Sequence, residues 1–243
     1  YIALLTDEGS WSPMDSGLRS VDALSFEAYE DRLAAALKKA GPNLSRESLY
    51  NAVNGGFTYA GQSCISVQRI LVQRSVFQKF LDVFVPKVRA LRTGDPLDEK
   101  TDVGPMIREA DAQRAAEWIT EALEGGAKLL CGGKRHRALL EPTVLTATQR
   151  NMKVNCQEIF APVVTVEPYD TFEQAVGMVN DSPYGLQAGV FTRDARLLFY
   201  AYEQLEVGGV IAGDVPTWRV DSMPYGGTKQ SGIGREGLKY AIE

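Results

Sequence analysis

With 243 residues, of which 44% are hydrophobic and 23% charged, the chain is long enough for one large α/β domain or two small ones and apolar enough to bury a core. Its net charge of −5, with no long basic run, excludes nucleic acid or an anionic membrane as the main partner. No apolar window reaches the roughly 18 residues that a membrane-spanning helix needs.

Three cysteines lie far apart, at Cys64, Cys131 and Cys156. Their spacing makes neither a disulfide framework nor a zinc site and suits a reducing compartment. With no charged-then-apolar leader, the expected location is cytoplasmic, and no metal is expected.

Taken in order, residues 1–5 form a short apolar run that reads as a strand, and 6–17, with Gly9, Pro13 and Gly17, read as turns. Phe26, Tyr29, Leu33, Ala36, Leu37 and Ala40 recur at helical spacing behind a Ser25 cap, and Gly41-Pro42 stops that helix. Ser45 caps a second helix that runs through Leu49 and Val53 and is expected to break at Gly55-Gly56. A dinucleotide site needs a strand, a glycine-rich turn and a helix N-terminus facing the pyrophosphate. Residues 1–51 show no such arrangement and are assigned as a helical head, apart from a domain over 52–243.

From Arg69 onward strands and helices alternate. Strands are expected over 70–72, 128–131, 142–147, 162–166, 186–191 and 208–212. Helices are expected over 76–91, 108–124, 172–179 and 195–205, with a last one beginning near Arg235. Phe77, Phe80, Leu81, Phe84 and Val88 share one helical face. This rhythm implies an α/β fold, a twisted and mostly parallel sheet with helices on both faces.

Chemistry concentrates in Phe57-Thr58-Tyr59-Ala60-Gly61-Gln62-Ser63-Cys64. Glycines before and within this stretch let the backbone turn tightly and approach a ligand closely. Local composition leaves two readings of Cys64, a nucleophile or a small buried hydrophobe. The pattern Phe-x-x-x-Gly-Gln-x-Cys resembles the nucleophile motif of the aldehyde dehydrogenase superfamily. Two further stretches follow in the family's order, Gln157-Glu158-Ile159-Phe160-Ala161-Pro162-Val163 and the run from Pro224-Tyr225-Gly226-Gly227 to Gly234-Arg235-Glu236. The resemblance runs from about Ala52 to the last residue and covers the family's catalytic domain, not its nucleotide-binding domain.

That resemblance implies oxidation of an aldehyde to an acid with NAD or NADP, through a thiohemiacetal on Cys64. It places Glu158 and Phe160 against the nicotinamide half of the cofactor, the carboxylate on the ribose hydroxyls and the ring beside the nicotinamide. Ala161 stands where many members have Gly. Ser63 and Ile65 flank the nucleophile and are expected to line the aldehyde pocket. Arg219 reads either as a fork for an anionic substrate end or as a surface arginine. Lys229, Ser231, Gly232 and Gly234 read as a packing loop.

The family's general base, a Glu in a Leu-Glu-Leu-Gly-Gly-like motif, has no counterpart here. Glu30 lies at about the right distance but reads as a solvated helix charge. The single histidine, His136, sits in a basic loop and makes a weak partner for Cys64.

The expected partner is a small-molecule aldehyde. Full-length members form homo-oligomers, and this chain is expected to work poorly alone. Two rival readings remain, a cofactor-independent cysteine esterase or acyl-transfer activity, and a non-catalytic fragment that associates with another chain through an uncovered sheet edge.

Overall fold

A computed structural model of the chain describes residues 2–5 and 46–242. The helix expected over 26–40 and Glu30 lie outside the described residues. The strands are β1 (Ile2–Leu5), β2 (Arg69–Gln73), β3 (Lys128–Cys131), β4 (Arg135–His136), β5 (Leu139–Leu140), β6 (Thr143–Thr146), β7 (Val163–Tyr169), β8 (Tyr184–Gly185), β9 (Gln187–Phe191), β10 (Gly209–Ala212) and β11 (Thr228–Lys229). Seven of them form one sheet in the order β10-β9-β1-β2-β7-β6-β3, and β4-β5 and β8-β11 are separate two-stranded ribbons.

In the main sheet every neighbour pair is parallel except β3 with β6. This is the mostly parallel sheet that the alternating rhythm implies. The stretch nearest the N-terminus enters its middle. Ile2 stands opposite both Arg69 of β2 and Ala188 of β9.

The sheet is covered on both faces, and the period-2 alternation of β2 shows it. Ile70 and Val72 pack into a core with helices α1 (Arg46–Phe57), α2 (Arg74–Arg89) and α3 (Glu109–Glu124). A short helix, α4 (Lys153–Cys156), joins this core through Val154. Leu71, between them, points to the other core, with α5 (Phe172–Asn180) and α6 (Ala195–Gln204). The chain's last described helix is α7 (Leu238–Ile242).

Local sequence accounts for these helices. In α2 the buried residues Phe80, Leu81, Phe84, Val85 and Val88 fall on one stripe. Lys87 and Arg89 occupy its last turn, where cations favour the dipole. Thr171 caps α5 by accepting from the Gln174 N–H, and Asp194 caps α6 by accepting from the Arg196 N–H.

Two expectations need correction. The second helix does not break at Gly55-Gly56, because α1 continues to Phe57. A β-carbon on Gly55 would lie 2.9 Å from a Val67 methyl, and one on Gly56 would lie 2.8 Å from a Val164 methyl. These glycines thus serve close approach, not termination. The last helix begins at Leu238, not near Arg235. Arg235 is held in a loop, its guanidinium donating to the carbonyls of Gly227 and Gly234, and Gly237 takes a positive φ of 126° just before the helix.

Phe84 is fully buried and stacks on Phe80 at 5.0 Å between ring centroids. Phe84→Ala is expected to cost about 3–5 kcal/mol in urea unfolding. A loss under about 1 kcal/mol would contradict this placement of the core.

Candidate active site

Cys64 stands on a turn that backbone contacts hold down. After α1 the chain passes through the left-handed region at Tyr59, Ala60 and Gly61, with φ of 53°, 54° and 67°. A β-carbon on Gly61 would stand 2.1 Å from the Ala161 carbonyl oxygen. Only glycine lets this loop lie on the segment that carries Phe160.

A turn then closes from the Ser66 N–H to the Ser63 carbonyl at 3.0 Å, and Cys64 rides on it, exposed. The buried Ser66 hydroxyl donates to the Gly55 carbonyl at 3.1 Å, and the Val67 N–H donates to the same carbonyl at 2.8 Å. Gln62 fixes the near end, its side-chain oxygen accepting the Ile107 N–H at 2.9 Å. Among the described residues, no acceptor takes the Cys64 backbone N–H.

The other two thiols are differently placed. Cys131 is buried, and burial pushes its thiol up. Cys156 is half-buried, with its sulfur 3.6 Å from the Asn151 carbonyl.

Two depressions meet beside the turn. On one side Ser63 and Ile65 line an open groove of about 440 Å³ with Asn54, Tyr59, Asp214 and Trp218. Asn51 steadies this wall by donating to the Asp214 carboxylate at 3.0 Å. On the other side Ser63 lines a narrow crevice with Gly61, Glu158 and Phe160. Ser63 is thus common to both, and Cys64 is its neighbour.

Glu158 is exposed and Phe160 half-buried, at a left-handed φ of 49°. Their loop is held by two side chains. Gln68 donates to the carbonyls of Val154 and Gln157, at 2.9 and 2.8 Å, and accepts the Ile159 N–H at 3.2 Å. Arg114 donates to the Ile159 carbonyl at 2.9 Å while its guanidinium lies over the Trp118 ring. A glutamate with its carboxylate in solvent and an aromatic ring on the same crevice suit the ribose and nicotinamide of a dinucleotide.

The third motif reaches the sulfur itself. The Tyr225 hydroxyl lies 2.9 Å from Cys64 Sγ, across 161 residues of sequence. Arg219, exposed and outside the groove lining, places its guanidinium 4.1 Å over the Tyr225 ring, with Nη2 3.4 Å from the Glu236 carboxylate. Lys229 donates to the carbonyls of Asn180 and Ser182 and pairs with Glu206, so its charge is spent on segments packed against its loop. His136 is exposed on the β4-β5 ribbon.

The structure therefore brings Ser63, Ile65, Glu158 and Phe160 to adjoining depressions, with Cys64 on the turn between Ser63 and Ile65 but in neither lining, and Arg219 to Cys64 only by way of Tyr225. Sequence reasoning did not single out Tyr225, Gln62 or Gln68. The first lies in a motif valued for its glycines, and the two glutamines act on backbone that no local pattern reveals.

The family model described as "Aldehyde dehydrogenase family" matches residues 43–243. A 3-sulfolactaldehyde dehydrogenase from Priestia aryabhattai is 48% identical over 209 residues, covering 86% of this chain and 42% of that protein. Among solved structures, aldehyde dehydrogenase 21 from Physcomitrella patens, in complex with the reaction product succinate, superposes with a TM-score of 0.80 at 45% identity, over 82% of this chain and 41% of that one. A glyceraldehyde-3-phosphate dehydrogenase from Methanocaldococcus jannaschii, complexed with NADP, gives 0.78 at 39% identity, over 88% and 50%. The chain thus spans half or less of the length of these relatives.

Because Gln68 satisfies three backbone groups, Gln68→Ala is expected to destabilise the chain by roughly 1–3 kcal/mol, measured by urea unfolding. An unchanged midpoint would show that water replaces the carboxamide without cost.

Proposed function

The chain belongs to the aldehyde dehydrogenase family, and on that premise we propose that it oxidises an aldehyde to a carboxylic acid with NAD or NADP, with Cys64 as the nucleophile. The observation that carries this reading is the exposed Cys64 sulfur on a fixed turn, beside the one residue common to both depressions. In this reading the groove at Ser63 and Ile65 takes the aldehyde, and Glu158 and Phe160 hold the nicotinamide half of the cofactor.

The Cys64 thiolate attacks the carbonyl carbon. A C–S bond forms and the carbonyl π pair moves onto oxygen. The Cys64 backbone N–H, which no acceptor among the described residues takes, would reach that oxyanion, and a donor so placed is worth about 3 kcal/mol. The thiohemiacetal carbon gives up a hydride, for which a nicotinamide held at Glu158 and Phe160 would supply the acceptor. A thioester remains on Cys64. Water cleaves it, the acid leaves, and the thiolate is restored with release of a proton. Gly61 and the left-handed residues before it keep the sulfur in place through these steps, because the loop they shape rests on backbone.

The substrate class in this reading is a small aldehyde with an anionic end. Arg219 reads as its counter-charge, reached by swinging from the Tyr225 ring. The succinate in the Physcomitrella structure and the sulfonate substrate in the Priestia enzyme's name support it.

Formation of reduced cofactor with lactaldehyde, glycolaldehyde or succinate semialdehyde is expected to be slow in this chain and lost in Cys64→Ala. Absorbance of the reduced nicotinamide reads it. Equal turnover in Cys64→Ala would exclude Cys64 as the nucleophile.

A further inference from the structure

We propose that Tyr225 is a catalytic residue of this centre. Its hydroxyl makes a hydrogen bond with the Cys64 sulfur and holds Sγ in place until an aldehyde arrives. The inference rests on the reading of Cys64 as nucleophile and deepens it.

Three observations carry the role. The first is the contact itself, 2.9 Å from oxygen to sulfur, made by a ring that is 7% exposed. The second is how firmly that oxygen is aimed. Tyr225 and Glu236 exchange backbone hydrogen bonds at 3.0 and 2.6 Å. Behind them, β-carbons on Gly226 and Gly227 would lie 2.2 Å from the Gly234 carbonyl oxygen and 2.4 Å from Ser231. The loop is therefore closed against itself, which fixes the backbone from which the phenol projects.

The third is the Arg219 guanidinium 4.1 Å over the ring. A cation on that face draws charge from the phenol and makes its O–H a stronger donor. A phenylalanine would fill the same space and keep the same stacking. What tyrosine adds is one oxygen, directed at the sulfur.

The sign follows from the inventory of donors. A thiol can donate to the phenol or accept from it, and either bond is weak. A thiolate can only accept, and a hydrogen bond to a charged group is roughly twice as strong as a neutral one. The contact is therefore strongest with the sulfur in its attacking form. The proton that Cys64 gives up goes to solvent, to which the residue is exposed.

The test is the pH dependence of Cys64 alkylation by iodoacetamide in the full chain and in Tyr225→Phe, read by peptide mass mapping. Cys131 and Cys156 report the state of the fold in the same digest. Loss of the bond is expected to slow attack near neutral pH, where the contact supports the attacking sulfur. A thiolate freed of that bond is the stronger nucleophile once fully formed. The variant should therefore react about threefold more slowly near pH 7 and about threefold faster on the high-pH plateau. General loosening of the loop would not produce that crossover.

Superposed curves for the two proteins, with Cys64 the fastest of the three thiols, would overturn the role of Tyr225 and leave the nucleophile reading standing. A Cys64 in the unsubstituted chain that reacts no faster than Cys156 would overturn both.

Discussion

Backbone laid directly on backbone at Gly61 sets the geometry around Cys64. No β-carbon fits between this residue and the Ala161 carbonyl. The nucleophile loop and the loop that bears Glu158 and Phe160 are therefore one packed unit. Gln62 ties that unit to Ile107, and Gln68 and Arg114 tie it to the edge of α4 and to Ile159. The sheet underneath gives this unit a rigid base, since Val164 of β7 touches the position of Gly56 in α1. A site held by carbonyls and glycines keeps its shape more closely than one held by long side chains, which must lose rotamer freedom to do the same.

The segment from Gly208 to Glu236 supplies the opposite wall by a related device. A β-carbon on Gly208 would lie 1.6 Å from the Gly226 carbonyl oxygen, so the residue just before β10 and the Tyr225 loop meet without side chains between them. Arg235 spends its charge on carbonyls of this segment, and Lys229 ties the segment to the carbonyls of Asn180 and Ser182. The consequence is functional. The Tyr225 hydroxyl at the sulfur and the Arg219 cation over its ring both belong to a segment that is braced at several points.

Much of this was legible in the sequence, for physical reasons that differ by element. The stripe of Phe80, Leu81, Phe84 and Val88 announces α2, and the β-branched run at Val163 and Val164 announces a buried strand, because periodicity reports burial. The first and third motifs point to the site because their glycines have no structural substitute, and the second lies against Gly61 through the Ala161 carbonyl. Other features could not be read. Gly55-Gly56 looks like a helix stop, yet the demand there is tertiary, set by Val67 and Val164 far along the chain. The Tyr225 contact joins residues 161 apart, and nothing local to either one encodes it. Gln68 acts through three backbone groups that only the folded chain brings together. Arg219 is intermediate. Its charge was visible, but its place over an aromatic ring, not in the groove lining, was not.

The central claim is that Cys64 forms a covalent adduct with an aldehyde in the groove beside it. The most direct measurement is protection of Cys64 from iodoacetamide by a small anionic aldehyde such as succinate semialdehyde, without cofactor, mapped by peptide mass. The account predicts that Cys64 alkylation slows severalfold as the aldehyde is added and recovers when it is removed, while Cys156 is unaffected. Alkylation of Cys64 at the same rate with and without aldehyde would contradict it.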